Sequence, residues 1–237
     1  MISGKSFSEL CKWVVDPRYP HRPTFSYAQA SDGEWVFVNG DCMMDLRRRF
    51  PLLAAKRFTF IVHNTDRTFG ALELQMLLPR AYHIYAINTI VHHPQLTTIP
   101  LGFVDRQLPF LEGFKAGSSE RDIEVYANFT TTTNPPARSA CYKAFNGDPR
   151  LVTRAALSVP EYYLDLCHSK FVLCPEGTGI DTHRVYEALF CGATPVVLRN
   201  SLSPLYERLP VCIVNAWTDP LVVPEPKQID WSCKAFL

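Results

Sequence analysis

The residues between 171 and 189 have the types and spacing most capable of chemistry in this chain. Phe171, Val172, Leu173 and Cys174 read as a buried strand, and Pro175, Glu176, Gly177, Thr178 and Gly179 as the loop that follows. Residues 182–191 read as a helix, with Asp181 as its N-cap. Gly177 and Gly179 let the backbone approach a ligand closely and take positive φ where needed. The first amides of the helix, aligned with its dipole, form an anion site. Arg184 falls in the first turn, where its planar fork suits a diphosphate. Glu187 lies three residues further on the same face and suits ribose hydroxyls as an acceptor. Such a site holds a nucleoside diphosphate without a metal. The competing reading is a plain turn followed by a solvated helical pair, since a G-x-G before a helix is a weak signal alone. Here the pattern continues through Gly192 into the apolar residues 194–198, which places the loop on a buried βαβ unit.

The surrounding elements repeat that unit. Strands are expected at residues 35–38, 58–62, 83–87 and 97–101, and helices at 43–55 (interrupted by Pro51) and 71–78 (stopped by Pro79). After a Pro-, Gly- and Ser-containing segment over 106–122, read as an interdomain linker, the pattern restarts. It has strands at 123–127, 171–174, 194–198 and 211–214, and helices at 136–145, 161–168 and 182–191. Unbroken apolar strands alternating with helices signal parallel sheets covered on both faces. Two such half-chains imply an α/β protein of two Rossmann-like lobes facing a cleft, residues 1–115 and 122–237. Ligands of open parallel sheets bind outside the carboxyl ends of the strands, where residues 63–66 and 175–181 fall.

Composition sets the bounds. The 237 residues include 24 Lys and Arg against 23 Asp and Glu, so no global field recruits nucleic acid or an anionic membrane surface. No run of 18 apolar residues occurs, and the opening residues lack the apolar core of a signal peptide. The eight cysteines are scattered singly, several within apolar runs, which favours reduced thiols and a cytoplasmic location. Asn128, Phe129 and Thr130 match a glycosylation sequon by chance on this reading.

The chain resembles the exostosin-type glycosyltransferases (glycosyltransferase family 47 and its relatives), particularly the small soluble members encoded by large algal viruses. The resemblance rests on Lys170 through Pro175 with Gly177, Gly179, Asp181, Arg184, Glu187, Ala188, Gly192 and Pro195, and continues to Ile213 and Val214. Upstream it takes in residues 62–66, 93–96 and 99–102, then Asn128, Phe129, Thr133, Asn134, Pro135 and Arg138. It covers about residues 58–217 and implies a GT-B fold, an inverting mechanism and a nucleotide-sugar donor held by the C-terminal lobe. By position, Arg184 would meet the diphosphate, Glu187 the ribose, and Gly177, Thr178 and Gly179 the phosphates, with Arg138 as a second cation. UDP is the expected nucleotide and xylose the expected sugar, with glucuronic acid and galactose open, a glycan or glycoprotein as acceptor, no cofactor and no metal. The resemblance to viral members places the protein in the host cytoplasm. Glu176 departs from the family, where a basic residue is common, and its carboxylate repels a diphosphate unless it turns away.

Inverting transfer needs a base for the acceptor hydroxyl and charge stabilisation for the leaving diphosphate. Asp66, at the carboxyl end of the 58–62 strand, is the first candidate for the base, His63 the second and Asp181 the third. Each has a bland alternative: an Asx-turn or helix cap for Asp66, a backbone hydrogen bond for His63, the N-cap for Asp181. Tyr162 and Tyr163 offer a ring to stack on uracil, or serve as packing. Adjacent His92 and His93 point to opposite faces of a strand and do not make a metal site. The sequence has no G-x-S-x-G elbow and no P-loop. Two other functions remain open: a non-catalytic nucleotide- or glycan-binding module of the same fold, and an enzyme using a GDP-sugar.

Overall fold

The computed structural model describes residues 1–51, 55–114 and 120–237. Parts of the expected 43–55 helix and of the 106–122 linker lie outside them. The strands are β1 Trp13–Val15, β2 Trp35–Asn39, β3 Phe58–His63, β4 Ala81–Ala86, β5 Leu96–Thr98, β6 Ile123–Ala127, β7 Leu151–Thr153, β8 Ser169–Leu173, β9 Thr194–Leu198 and β10 Cys212–Val214. The helices are α1 Gly4–Glu9, α2 Met43–Arg48, α3 Ala71–Leu77, α4 Leu108–Gly113, α5 Pro135–Ala144, α6 Val159–His168, α7 His183–Phe190 and α8 Ser203–Tyr206. The protein is α/β with two five-stranded parallel sheets.

Residues Met1–Asp105 and Asp230–Leu237 form one compact unit, and Arg106–Ile229 the other. Three features differ from the sequence expectation. Residues 108–113, read as linker, form α4 of the second unit, because Pro109 sits in the first turn where a missing N–H costs nothing. The last eight residues return to the first unit, where the Tyr85 hydroxyl donates to the Leu237 carbonyl at 2.8 Å and Trp231 packs on Phe103. Helix α2 ends at Arg48, well short of residue 55, since the residue before Pro51 is pushed out of the helical region.

The first sheet runs β1-β2-β3-β4-β5, in chain order. One face carries Val36, Val38, Phe58, Phe60 and Val62, which bury against Met43 and Leu46 of α2 and Leu74 and Leu77 of α3. The second sheet runs β10-β9-β8-β6-β7. Its core gathers Val125, Ala127, Phe129, Cys141, Phe171, Leu173 and Val196. Here the order reverses at β6, with β7 on one side and β8 on the other, which is the doubly wound pattern. Chains leaving such strands in opposite directions open a crevice at their carboxyl ends. β6 ends at Ala127 and β8 at Leu173, so that crevice lies beside Asn128 and Cys174. The five strands of the first sheet never reverse, so they carry no such switch point.

Candidate functional site

At the switch point of the second sheet, two arginines from different helices meet one aromatic ring. Asn134 caps α5 through its side chain, and Pro135 and Pro136 preset the first turn, which delivers Arg138. Arg138 Nε donates to the Glu176 carbonyl at 3.1 Å, and Nη1 donates to the Thr130 carbonyl at 2.8 Å and Thr133 Oγ1 at 3.0 Å. Arg184, in the first turn of α7, donates from Nη2 to the Asn128 carbonyl at 2.5 Å. Both guanidinium carbons stand over the Phe129 ring, at 5.6 Å for Arg138 and 5.5 Å for Arg184, held by the ring quadrupole. Among the described residues neither arginine has an ion-pair partner, and Arg184 Nε is buried without a hydrogen bond. Burial, and after it the charge of Arg184, lower the pKa of Arg138. Two confined cations without a close ion pair among the described residues make a positive site, tempered at Arg184 by the nearby Glu187 carboxylate, and a donor with nothing to donate to calls for an acceptor.

The loop between β8 and α7 works differently from the sequence expectation. Neither Gly177 nor Gly179 takes positive φ. The Gly177 amide donates to the Gly179 carbonyl at 3.1 Å, and the Gly177 carbonyl accepts from Asn134 Nδ2 at 2.9 Å. Its amide is therefore engaged within the loop. Glycine is needed there for another reason: a Cβ at position 177 would stand 2.9 Å from Arg138 Nη2. Thr178, between the two glycines, is exposed at the loop tip.

Asp181 is not the N-cap of α7. Thr182 occupies the cap position, and its Oγ1 is buried with no hydrogen-bond partner. Asp181, 4% exposed, accepts from the Tyr206 hydroxyl at 2.8 Å, from the Tyr186 hydroxyl and from the Thr182 amide. Burial and the Asp181 carboxylate hold the Tyr206 pKa well above its usual value, so the phenol stays a donor. A carboxylate buried under two phenols supports the loop and is no general base.

Glu187 is buried on the same helix face as Arg184, and one carboxylate oxygen accepts from the Tyr162 hydroxyl at 2.7 Å. Burial and the adjacent Glu187 raise the Tyr162 pKa well above the phenol range. The carboxylate expected to meet a ribose thus spends one oxygen on a protein donor. Tyr162 also lines a cavity of about 230 Å³ with Asn128, Ala156, Leu157, Ser158 and Val159. Ala156 holds φ +56° in its wall, a conformation an alanine adopts only under constraint. Tyr163 is fully buried against Phe110 and Phe114, and its hydroxyl donates to Gln107 Oε1 at 3.1 Å and also lies within reach of Glu187. The Glu176 carboxylate accepts from Asn200 Nδ2 at 2.9 Å and turns away from the arginine pair.

In the first unit, His63 ends β3 and is 1% exposed, flanked by the rings of Phe7 and Phe37. Its Nδ1 accepts the Asn64 amide at 2.8 Å, and its Nε2 faces the Pro100 carbonyl at 3.3 Å. A ring engaged at both nitrogens fastens the turn and is not placed to take a substrate proton. Asp66 is exposed three residues beyond the strand end, and no hydrogen bond or ion pair holds its carboxylate among the described residues. The ST-turn is made by Thr65, whose Oγ1 accepts the Arg67 amide at 3.1 Å, so Asp66 is neither the turn former nor a cap. Asn64, with φ +61°, ties this turn down: its Nδ2 donates to Asp16 and to the Tyr19 hydroxyl, both at 2.9 Å, and its carbonyl accepts from Arg18.

Sequence reasoning found Arg138, Arg184 and Glu187 but missed Phe129 as the ring between the arginines. It also missed Asp16, Arg18 and Tyr19 as supports of residues 63–66. The signals for Phe129 were its place two residues beyond the end of β6 and its position in the stretch that carries the resemblance. No helix among the described residues is long and apolar enough to cross a membrane. Compared with known proteins, the chain matches no family model and no curated protein.

Proposed function

We propose that the chain is an inverting GT-B glycosyltransferase that moves a sugar from a nucleoside diphosphate, with UDP-xylose the leading donor, to a hydroxyl of a glycan or glycoprotein. The observation that carries this reading is the arginine pair over Phe129, without a close ion pair among the described residues and lying at the switch point of a doubly wound sheet. In this reading Arg184 and Arg138 bind the diphosphate and stabilise it as it leaves, with the buried Thr182 hydroxyl as a further donor. Glu187, held by Tyr162 and approached by the Tyr163 hydroxyl, receives the ribose. The cavity walled by Asn128 and Tyr162 takes the base, since it adjoins the carbonyl that Arg184 grips and the phenol that Glu187 accepts from. Asp66 removes the acceptor proton. Its exposure and freedom from partners favour it over His63 and Asp181, both of which are spent on structure.

Calorimetric titration with UDP tests the donor site. Binding is expected in the parent, and Arg184→Ala should weaken it at least about ten-fold, as loss of a charge-assisted hydrogen bond does. Equal affinity in that variant would remove the assignment. Hydrolysis of a panel of UDP- and GDP-sugars then separates an enzyme from a binding module: a parent that binds UDP yet turns over no donor would be the module, and turnover of GDP-sugars alone would reassign the base.

A further inference from the structure

The first unit holds a cavity of about 370 Å³ between α2 and α3, above the carboxyl ends of β3 and β4; Thr65 and Arg67, which flank the proposed base Asp66, are in its lining, but the sugar-transfer reading gives no role to its apolar interior. The buried side chains of Val62, Phe69 and Ile87 form its floor. Its walls are the thioethers of Met43, Met44 and Met76 together with Leu72. Met44 and Leu72 are 54% and 78% exposed, apolar groups that solvent alone does not explain so close together. Three of the chain's four methionines line this one cavity. Unbranched, polarizable side chains fit irregular apolar bodies, aromatic ones included. The volume is far too large for an ion or single water and lies at the small end of ligand cavities.

The polar groups at its edge narrow the ligand further. Asp41 is consumed by Thr65 Oγ1 at 2.9 Å and by Arg67 Nε at 3.0 Å. Glu73 is consumed as the reciprocal cap of α3, accepting the Gly70 amide at 2.9 Å. Arg47 also lines the cavity, and among the described residues it has no ion-pair partner, unlike its neighbour Arg48, which pairs with Asp45. The site therefore offers an apolar floor, adaptable walls and, in a lining whose two cations and two carboxylates balance, one cation, Arg47, that no carboxylate pairs among the described residues. We propose that this cavity binds a small amphipathic organic anion, an aliphatic or aromatic body of roughly six to ten carbons bearing one carboxylate, with the body on the methionines and the carboxylate on Arg47. The proposal does not rest on the donor reading, because every residue in it belongs to the first unit.

The test is calorimetric titration of the full chain with octanoate and, separately, with octan-1-ol. Octanoate should bind one to one and more tightly than the alcohol. Leu72→Glu and Met44→Glu, both at exposed positions and so compatible with folding, should each lower octanoate affinity at least about ten-fold by setting a carboxylate in the apolar wall. Arg47→Gln should weaken octanoate by up to about five-fold, the worth of a surface ion pair, and leave octan-1-ol unchanged. Arg48→Gln should alter neither. Absence of octanoate binding, or binding that survives Leu72→Glu, overturns the site. Equal affinity for the acid and the alcohol, undisturbed by Arg47→Gln, overturns the anion. UDP titration of the same variants is independent of all these outcomes.

Discussion

Asp181 and Asp66 show how environment sorts one side chain into two uses. The first is buried under two phenols, and removing one of them strands part of a charge. Tyr206→Phe should therefore cost about 1.5–3 kcal/mol in urea denaturation, the worth of a hydrogen bond to a charged group. A loss below about 0.5 kcal/mol would mean that the Tyr206 hydroxyl adds nothing to the network. Asp66 stands in solvent, so Asp66→Asn should leave stability and UDP affinity unchanged while abolishing transfer. Retained turnover would dismiss it as the base. Spacing alone made Arg184 and Glu187 legible, because they share one helix face. The Tyr162–Glu187 and Tyr206–Asp181 bonds and the Arg184–Phe129 contact were not legible, since each joins residues 25 or more apart and only folding reveals which group meets which. Cys174 is equally a product of folding: burial pushes its thiol up to about 12, beyond reach of alkylation at neutral pH.

At the scale of elements, the carboxylate of Glu34 pins edge strand β1. It accepts from Lys12 Nζ and Trp13 Nε1, and from the Ser31 amide at 2.9 Å. Those bonds, Lys12 first and Trp13 next, lower its pKa from 4.5 to about 2. A carboxylate depressed in the folded state contributes stability above the unfolded value, and that contribution fades as pH falls from about 4.5 towards 2. Glu34→Gln should accordingly be less stable than the parent at neutral pH and lose less on acidification through that window. Parallel thermal-melt curves for the two proteins would contradict it. The long buried strands β3, β6, β8 and β9 were legible as apolar runs. Strands β1 and β7, three residues each, were not read, although β5 and β10, equally short, were. Helix α4 was hidden by a proline that reads as a breaker yet occupies a position where helices begin. The end of α7 was legible from Gly192, which holds φ +74° where the Arg121 guanidinium lies close by, so a side chain there meets both strain and a clash.

For the whole molecule, the alternation of strand and helix announced α/β architecture with parallel sheets. Strand order did not follow from it, because the same alternation serves a sheet that keeps chain order and one that reverses. That difference decides where a ligand crevice forms, and only the second sheet has one at a reversal. The return of residues 230–237 to the first unit was equally invisible, their pairing partners lying more than a hundred residues upstream. Deleting them removes the buried Cys233 and Phe236 from the first unit and should cost about 3–5 kcal/mol, comparable with losing one large core side chain. An unchanged midpoint for that unit in chemical denaturation would show the tail to be dispensable.

The same tail has an engineering use. The Cys233 thiol feels the amino terminus and the Ser3 backbone, so the two extremities of the chain are neighbours. A rearranged gene encoding residues 230–237 ahead of Met1 through a short flexible joint would make the first unit one uninterrupted polypeptide. It could then be expressed without residues 106–229, and the methionine-walled cavity titrated with no nucleotide site present.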